Sequence, residues 1–244
     1  MERRRTALVT GAARGIGKAV TEKLAGCGFS LAINYNTSEK EATELVASLQ
    51  SRGVNCIAVK ADVSDYGEAA RLYEECRAYF GFIDTLVNNA GISLSKILCD
   101  CTPADYERVL NVNLRSVFNM CRLFSPDMVS NGFGRIINVA SVWGERGAST
   151  ETLYSMSKAG VIGFTKALNA ELAPSNVIVN SVSPGFIDTA MNSALSAQEV
   201  EDFLSGVALG RVGKAEEVAD VIELLTREKL YIAGADIPVN GGMI

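Results

Sequence analysis

Short runs of β-branched and other apolar residues alternate along the chain with longer segments whose apolar positions recur at helical spacing. The short runs predict strands at Thr6–Thr10, Ser30–Tyr35, Cys56–Ala61, Ile83–Asn88, Arg135–Ala140, Val177–Val182 and Ile237–Val239. The longer segments predict helices at Gly15–Gly28, Ser38–Arg52, Asp65–Phe80, Pro103–Ser130, Thr152–Ala173 and Ala215–Thr226, with a break in the longest near Asn111–Asn113. This alternation is typical of a parallel sheet with right-handed crossovers and helices on both faces. We therefore predict an α/β fold, a doubly wound domain with about seven parallel strands.

The sequence contains no linker, internal repeat or low-complexity tract, so we predict one domain over residues 1–244. The segment Asp188–Gly210 is the exception to the regular alternation, and it carries small and polar residues after Pro184-Gly185. Two interpretations of this segment stay open. It forms a mobile lid over the end of the sheet, or a pair of surface helices without a special function.

Composition narrows the function classes. The chain has 244 residues, 48% of them hydrophobic, and a formal net charge of −5, which argues against nucleic-acid binding. No apolar stretch approaches the ~18 residues of a membrane span, and the short apolar run after the first arginines is not a signal sequence. The six cysteines show no CxxC spacing and the chain has no histidine, so we expect neither a disulfide framework nor a metal site. A reducing, cytoplasmic location fits this cysteine usage.

A glycine-rich loop joins the first predicted strand to the first predicted helix. Glycines at 11, 15 and 17 allow a tight turn, a close approach of the backbone to a pyrophosphate, and close packing of helix on strand. The helix N-terminus then directs free N–H groups at the phosphates. We predict a dinucleotide site, with loop contacts from Gly11, Ala13, Arg14, Gly15, Ile16 and Gly17.

The end of the second strand indicates which dinucleotide binds. NAD sites usually carry an acidic residue there, for the ribose 2′-hydroxyl, but residues 34–38 contain no carboxylate before Glu39. Arg14 lies inside the glycine loop, where a guanidinium can hold a 2′-phosphate bidentately. We predict NADP(H) in preference to NAD(H), with Asn36 and Thr37 among its contacts.

Tyr154 and Lys158 are the leading candidates for acid–base chemistry. They are four residues apart in a predicted helix, which places a phenol beside an ammonium on one helix face, separated by a rise of roughly 6 Å. The absence of histidine excludes His-based triads and HExxH zinc sites. The phenol is therefore the expected proton donor.

From Thr6 to the C-terminus the chain resembles the short-chain dehydrogenase/reductase family. The resemblance rests on TGxxxGIG at 10–17, Asp62 in ADV, NNAG at 88–91, Asn113 in NVNL, Ser141 after IINVA, YxxxK at 154–158 and PGFIDT at 184–189. It implies a Rossmann-type domain that both binds the dinucleotide and catalyses the reaction. It also implies a catalytic tetrad of Asn113, Ser141, Tyr154 and Lys158.

The resemblance implies the following roles. Asp62 and Val63 contact adenine, Asn89 and Gly91 lie along the cofactor ribose, and the 184–189 segment holds the nicotinamide through Pro184, Ile187 and Thr189. Ser141 hydrogen-bonds the substrate carbonyl, and Tyr154 donates the proton as hydride leaves the nicotinamide. Lys158 binds the nicotinamide ribose and polarises Tyr154, while Asn113 holds a water that links Lys158 to solvent.

Within the family, the best likeness is to the 3-oxoacyl-[acyl-carrier-protein] reductases, through GRIINVAS, YSMSKAGVIGFTK, PGFIDTAM and the closing VNGGM. This implies reduction of a 3-oxoacyl thioester in fatty acid synthesis, with an acyl carrier protein as candidate partner. However, residues 128–132 and 171–176, where such reductases carry basic residues for an acidic carrier, contain no Lys or Arg. Arg146 or Arg211 are candidate replacements. Trp143 is either a wall of the substrate pocket or a packed aromatic.

Two other functions remain open. One is a short-chain alcohol dehydrogenase or carbonyl reductase for a non-acyl ketone such as a sugar, steroid or small ketone, which the missing basic residues favour. The other is a catalytically inactive NADP sensor or scaffold, against which the intact tetrad argues.

Assembly is also expected, because residues 114–128 and 152–173 carry more apolar positions than one sheet face consumes. Gly160 and Gly163 either allow close approach of a partner or serve ordinary packing against the subunit's own sheet. In the family that the chain resembles, these helices pair across a two-fold axis and the C-terminal strand region forms a second interface, which implies a homotetramer.

Overall fold

One all-parallel sheet with the strand order β3-β2-β1-β4-β5-β6-β7 organises the protein. The structure is a computed structural model and describes residues 5–190 and 197–243. The strands are β1 (Thr6–Val9), β2 (Ser30–Tyr35), β3 (Cys56–Lys60), β4 (Thr85–Asn88), β5 (Gly134–Val139), β6 (Val177–Pro184) and β7 (Asp236–Val239). This is the doubly wound, Rossmann-type α/β architecture that the sequence predicts.

The helices between the strands are α1 (Gly15–Gly26), α2 (Glu39–Ser51), α3 (Tyr66–Phe80), α4 (Pro103–Leu110), α5 (Ser116–Ser130), α6 (Val142–Arg146), α7 (Thr152–Leu172), α8 (Ala197–Leu204) and α9 (Ala215–Thr226). Short 3₁₀ turns lie at Leu98–Asp100 and Ala173–Ser175. Within the described residues, every helix is too short or too polar to cross a lipid bilayer.

Two hydrophobic layers cover the two faces of the sheet. Apolar residues of α1, α2 and α9 form one core cluster, and those of α3, α5 and α7 form the other. Successive residues of a strand point to opposite faces. In β1, Val9 joins the first cluster and Leu8 the second, and both are fully buried. Such burial on both faces explains why the strands are continuous apolar runs rather than alternating ones.

The structure differs from the sequence prediction in a strand boundary and a missed helix, and it has the break that was predicted in the longest helix. The strand expected at Ile83–Asn88 begins only at Thr85. The helix expected at Pro103–Ser130 is helical throughout, but a π-turn at Asn111–Arg115 separates α4 from α5 at the predicted break. The sequence analysis missed α6, because five residues that include Gly144 carry no helical period. Residues 191–196 of the proposed lid segment lie outside the described residues.

The topology creates a crevice at the carboxyl ends of the strands. β1 pairs with β2 on one side and with β4 on the other. The chain leaving β1 therefore continues toward one edge of the sheet and the chain leaving β4 toward the other, which opens a gap between the two strand ends. Ligands of doubly wound sheets bind where the strand order reverses in this way. The glycine loop after β1 and residues 88–91 at the end of β4 both lie at this position.

Candidate active site

The loop between β1 and α1 is built around glycine. Gly11 has a φ of 61°, in the left-handed region. A Cβ on Gly17 would lie 2.4 Å from the carbonyl oxygen of Gly11 and 2.6 Å from Nδ2 of Asn89, so no larger residue fits there. Gly17 therefore allows the first turn of α1 to pack directly against the loop and against Asn89.

Asn89 fixes this loop from the neighbouring strand. Its Nδ2 donates to the carbonyl oxygens of Thr10 (2.9 Å) and Gly11 (3.1 Å). In return, the hydroxyl of Thr10 accepts hydrogen bonds from the backbone N–H groups of Asn89 (2.9 Å) and Ala90 (3.0 Å). Asn89 thus holds the loop as well as lining the crevice, and Thr10 is a supporting residue that the sequence analysis did not single out.

The crevice is a cavity of about 620 Å³. Most of the predicted cofactor residues line it, namely Gly11, Ala13, Arg14, Gly15, Ile16, Asn36, Thr37, Asp62, Val63, Asn89, Gly91 and Thr189. Five predicted cofactor residues do not. Tyr154 and Lys158 lie on α7 and are not part of the lining of this cavity. Gly17 lies beneath the loop, Pro184 is buried at the end of β6, and Ile187 is buried and lines a separate cavity of about 240 Å³. Residues from six separate segments thus converge on one site that has the size of a ligand pocket.

Several lining residues were missed by the sequence analysis, including Asn34, Ser64, Ser93 and Arg108. Asn34 is fully buried at the carboxyl end of β2, and its Nδ2 donates to the carbonyl of Ala61 (3.0 Å). Its Oδ1 accepts from the N–H of Gly11 at 3.4 Å. A neutral amide therefore ties the glycine loop to β3 close to the place where NAD sites carry a carboxylate.

Arg14 is exposed at the mouth of the crevice, beside Asn36 and Thr37. Its guanidinium forms no ion pair with any residue that the structure describes. Since no carboxylate neutralises it, Arg14 is available to an anionic ligand.

Tyr154 and Lys158 lie on α7 as the helical spacing predicts. Nζ of Lys158 is 5.7 Å from the centroid of the Tyr154 ring and donates a 2.7 Å hydrogen bond to the carbonyl oxygen of Val139 at the end of β5. Burial lowers the pKa of Lys158 to about 8. Burial raises the pKa of Tyr154 to about 12; the hydrogen bond with Ser141 lowers it and the negative charge of Glu151 adds to the rise.

Ser141 lies two residues after the last residue of β5 and caps α6. Its buried hydroxyl oxygen accepts from the backbone N–H of Trp143 at 3.2 Å, and the hydroxyl group lowers the pKa of Tyr154. A Cβ on Gly144 would lie 2.7 Å from the carbonyl carbon of Lys158, so α6 packs directly against α7. Ser141 is thereby held beside the phenol, on a short helix that has little room to move.

Asn113 lies inside the π-turn and is fully buried. It forms hydrogen bonds to Ile92 and to Oγ of Ser157 (3.0 Å). A Cβ on Gly91 would lie 3.3 Å from Oδ1 of Asn113 and 3.5 Å from Nζ of Lys158. The structure therefore brings Asn113, Gly91 and Lys158 together beside the crevice, and π-turns of this kind are frequent at functional sites.

Trp143 belongs to a cluster of three aromatic rings. Its ring lies 5.5 Å from that of Phe203 on α8, and the Phe203 ring lies 4.6 Å from that of Phe186, which follows β6. Trp143 thus packs against Phe203 while part of its side chain remains exposed. The same contact connects α8, within the proposed lid segment, to the helix that follows Ser141.

The comparisons with known proteins agree with this geometry. Residues 5–200 match a protein-family model described as short chain dehydrogenase. The 3-oxoacyl-[acyl-carrier-protein] reductase FabG of Staphylococcus aureus is 39% identical over 244 residues, which are 100% of this chain and 99% of the relative. The acetoacetyl-CoA reductase of Allochromatium vinosum is 40% identical over 241 residues, 98% of each chain.

A crystal structure of a candidate gluconate dehydrogenase from Agrobacterium tumefaciens superposes with a TM-score of 0.95. It is 33% identical and covers 98% of this chain and 95% of its own. The match extends over both the glycine loop and the Tyr154–Lys158 helix.

Proposed function

The chain belongs to the short-chain dehydrogenase family of oxidoreductases, and on this basis we propose that it reduces a ketone to a secondary alcohol with NADPH. The family implies a nicotinamide cofactor, and the described residues fit one. The cradle at Gly17 admits no side chain, and the crevice of about 620 Å³ opens at the N-terminus of α1. When bound there, the cofactor supplies the hydride.

The arrangement of Tyr154, Ser141 and Lys158 is the observation that carries this proposal. The Ser141 hydroxyl lies close enough to the Tyr154 phenol to lower its pKa, so a carbonyl oxygen that reaches both groups can accept a hydrogen bond from each. As negative charge develops on that oxygen, the phenol of Tyr154 donates its proton to it. With a pKa of about 12 in the chain alone, Tyr154 is fully protonated at neutral pH and ready to donate.

The phenolate that remains needs stabilisation. Ser141 lowers the pKa of the phenol, which favours the phenolate, and the ammonium of Lys158 lies on the same helix face. Because the pKa of Lys158 is about 8, the group is predominantly charged at neutral pH despite its burial. Lys158 also has two N–H donors beyond the one used by Val139, which fits the expected contact to the nicotinamide ribose. Asn113 is expected to hold the water through which Lys158 exchanges protons with solvent.

NADP(H) is the preferred cofactor in this proposal. Support comes from the unpaired guanidinium of Arg14 at the mouth of the crevice and from the neutral amide of Asn34 at the end of β2. A carboxylate in that region repels a 2′-phosphate, whereas a guanidinium binds it with charge-assisted hydrogen bonds.

A 3-oxoacyl thioester is the proposed substrate. Support comes from the relatives named as 3-oxoacyl-[acyl-carrier-protein] reductase and acetoacetyl-CoA reductase, each about as long as this chain. A carrier-protein substrate requires a basic surface, which residues 128–132 and 171–176 lack. Arg211 and Arg146 are the two candidates for contacting a carrier protein in place of those missing basic residues. Arg211 forms a bidentate ion pair with Glu217 (2.6 and 2.9 Å), whereas Arg146 is exposed.

A non-acyl ketone is the second candidate substrate class. The missing basic residues favour it, and the superposition on a candidate gluconate dehydrogenase gives it independent support. The catalytic residues are the same for both classes, so only the substrate distinguishes them.

The proposal is tested by following NADPH absorbance with the purified protein. The substrates are acetoacetyl-CoA, an acetoacetyl carrier protein and a panel of non-acyl ketones, with Tyr154→Phe as control. Preference for a thioester supports the first substrate class, and activity on other ketones alone supports the second. If no ketone is reduced while NADPH still binds, the protein is a cofactor sensor or scaffold and the proposal is wrong.

We also propose a homotetramer. Phe118 on α5 and Met156 on α7 are large apolar side chains that are 51% and 44% exposed, and Gly163 has no atom within 4 Å of an added Cβ. Such apolar helix faces are typical of interfaces between identical subunits. Light scattering at micromolar concentration tests this, and a monomer there contradicts it.

A further inference from the structure

Arg108 is a cation in the wall of the crevice that the proposed function does not use. It lies on α4, is exposed, and lines the cavity of about 620 Å³ together with Val112, which follows it by one helical turn. Among the lining residues, all of which belong to the described ranges, only Arg14 and Arg108 carry a positive charge. Polar groups that converge on a cavity in this way usually orient its ligand.

The guanidinium of Arg108 has no partner because the acid that faces it on the helix is engaged elsewhere. Of the helix positions three or four residues from Arg108, only Asp105 is acidic. Oδ2 of Asp105 accepts hydrogen bonds from Nζ of Lys96 (2.8 Å) and from the N–H (3.0 Å) and hydroxyl (2.9 Å) of Thr102. Within residues 5–190 and 197–243, Arg108 forms no side-chain hydrogen bond or ion pair. It is therefore available to a ligand of the crevice.

Hydrogen bonds from α5 fix this wall of the crevice beside the segment that follows β3. Asn119 donates from Nδ2 to the carbonyl oxygens of Val63 (3.0 Å) and Ser64 (3.1 Å), both of which line the crevice. Val112 precedes Asn119 by about two helical turns, which is roughly 10 Å. The α5 helix covers the face of the sheet opposite to α1. Arg108 and Val112 thus belong to the same side of the crevice as Val63, across from the glycine loop.

The order of the strands decides which part of a dinucleotide reaches this side. The nicotinamide has to meet Ser141 and Tyr154, which lie beyond β5, and the pyrophosphate lies at the N-terminus of α1, after β1. A dinucleotide that spans these two places extends its adenine towards the ends of β2 and β3. The adenine therefore lies at the end of the crevice that contains Val63.

The chemistry of this end of the crevice fits an aromatic base rather than a phosphate. Val63 is buried and Val112 is half-buried, so both offer apolar surface to a flat ring. Asp62, which accepts from the N–H (2.9 Å) and hydroxyl (2.7 Å) of Ser64, adds a negative charge that opposes a phosphate. A planar guanidinium beside such surfaces can stack on a base.

We infer that Arg108 is a further cofactor-binding residue, whose guanidinium stacks on the adenine base of the bound dinucleotide. This inference rests on the dinucleotide cofactor of the proposed function and adds a contact that neither the glycine loop nor Arg14 supplies. NADPH and NADH have the same base, so stacking on it does not distinguish between them. Arg108 therefore contributes affinity for both cofactors, whereas Arg14 determines the preference for one of them.

Calorimetric titration of the purified protein with three ligands tests the inference. The ligands are NADPH, NADH and adenosine 2′-phosphate, which has the base but no pyrophosphate. We expect Arg108→Ala to weaken the binding of all three by the same factor, about five- to tenfold, the effect of removing a cation from an aromatic ring. Arg115→Ala removes another exposed arginine, which does not line the crevice, and is the matched control. It should leave the three dissociation constants unchanged.

The pattern of losses identifies the group that Arg108 contacts. A loss for both dinucleotides but not for adenosine 2′-phosphate would assign the guanidinium to the pyrophosphate. A loss for NADPH and adenosine 2′-phosphate but not for NADH would assign it to the 2′-phosphate. Either pattern overturns the inference, as does unchanged binding of all three ligands.

A second variant separates stacking from charge. Arg108→Tyr keeps a planar group but removes the positive charge, so it should bind all three ligands within about threefold of the original protein. If Arg108→Tyr loses as much affinity as Arg108→Ala, the contact is electrostatic and the inference is wrong.

The titrations also separate a failure of the inference from a failure of the proposed function, because binding does not require turnover. If no ketone is reduced but Arg108→Ala shows the expected equal losses, the inference stands and the proposed reaction is wrong. If Tyr154-dependent reduction occurs but Arg108→Ala binds all three ligands as the original protein does, the reaction stands and the inference is wrong. If the original protein binds none of the three ligands, both are wrong.

Discussion

Asn113 pairs with both backbone groups of Ile92, accepting from its N–H (2.8 Å) and donating to its carbonyl oxygen (2.9 Å). This pairing ties the segment after β4, which lines the crevice, to the π-turn between α4 and α5. The extra residue of a π-turn shifts the helix register and directs Asn113 at the segment after β4. Asn113 thus has a structural role in addition to the proton-exchange role that the family resemblance implies.

Substitution of Asn113 should therefore reduce both stability and activity. Asn113→Ala leaves the N–H and carbonyl of Ile92 without their partner, which we expect to lower the free energy of unfolding by about 3 kcal/mol. Turnover should fall as well, because Gly91 and Lys158 adjoin the Asn113 side chain. Urea unfolding and steady-state kinetics measure the two effects. Asn111→Ala, in the same π-turn, is the control, and equal effects of both variants would contradict this role.

The buried ammonium of Lys158 should make stability dependent on pH. Burial lowers the pKa of Lys158 from 10.5 to about 8 in the folded protein. Between these two pH values the unfolded chain binds more protons than the folded one, so the free energy of unfolding rises with pH. Lys158→Met removes this contribution. Relative to that variant, the original protein should gain up to about 3 kcal/mol as the pH rises from 8 to 10.5.

The measurement is chemical unfolding of both proteins without cofactor across this range. Other groups titrate in both proteins, so their contributions cancel in the difference. Tyr154, with its raised pKa of about 12, acts in the opposite direction but only above its ordinary value of 10. Parallel stability curves for the two proteins between pH 8 and 10 would show that the ammonium is not desolvated.

Local sequence patterns were sufficient to predict where the glycine loop lies and that Tyr154 and Lys158 share a helix. The glycine loop is a contiguous motif, and Tyr154 and Lys158 are related by helical periodicity, so neither needs knowledge of the tertiary structure. Asn34 and Arg108, which line the crevice, could not be found in this way. Each is an ordinary polar residue whose role depends on what the fold places beside it, and no spacing along the chain carries that information.

Arg14 should determine the preference for NADPH. Its guanidinium is exposed at the mouth of the crevice and forms no ion pair with described residues. Arg14→Ala should raise the KM for NADPH and lower its kcat/KM by about tenfold, while the values for NADH change little. Lys18→Ala, which removes another exposed cation from α1, is the matched control. A proportional loss with both cofactors would show that Arg14 supports the loop rather than the 2′-phosphate.

Arg135 should contribute to stability and leave catalysis unaffected. It is fully buried near the amino end of β5, remote from Ser141 at the other end of that strand. Its guanidinium donates to four carbonyl oxygens, of Gly134, Asn176, Arg227 and Glu228, at 2.7 to 3.2 Å, and lies 4.4 Å from the centroid of the Phe133 ring. These bonds join β5 to the chain after α9.

Arg135→Met fills similar volume but leaves those carbonyls without their charged donor, so we expect a loss of about 3 kcal/mol in the free energy of unfolding. The kcat of the folded fraction should remain within about twofold, because the substitution lies at the opposite edge of the sheet from the site. Thermal unfolding and kinetics below the transition measure both quantities. Arg122→Met, at an exposed position of α5, controls for the loss of charge alone. If Arg135→Met lowers kcat without lowering stability, the two ends of β5 are coupled. The separation of a stabilising role for Arg135 from catalysis at the other end of the strand would then be wrong.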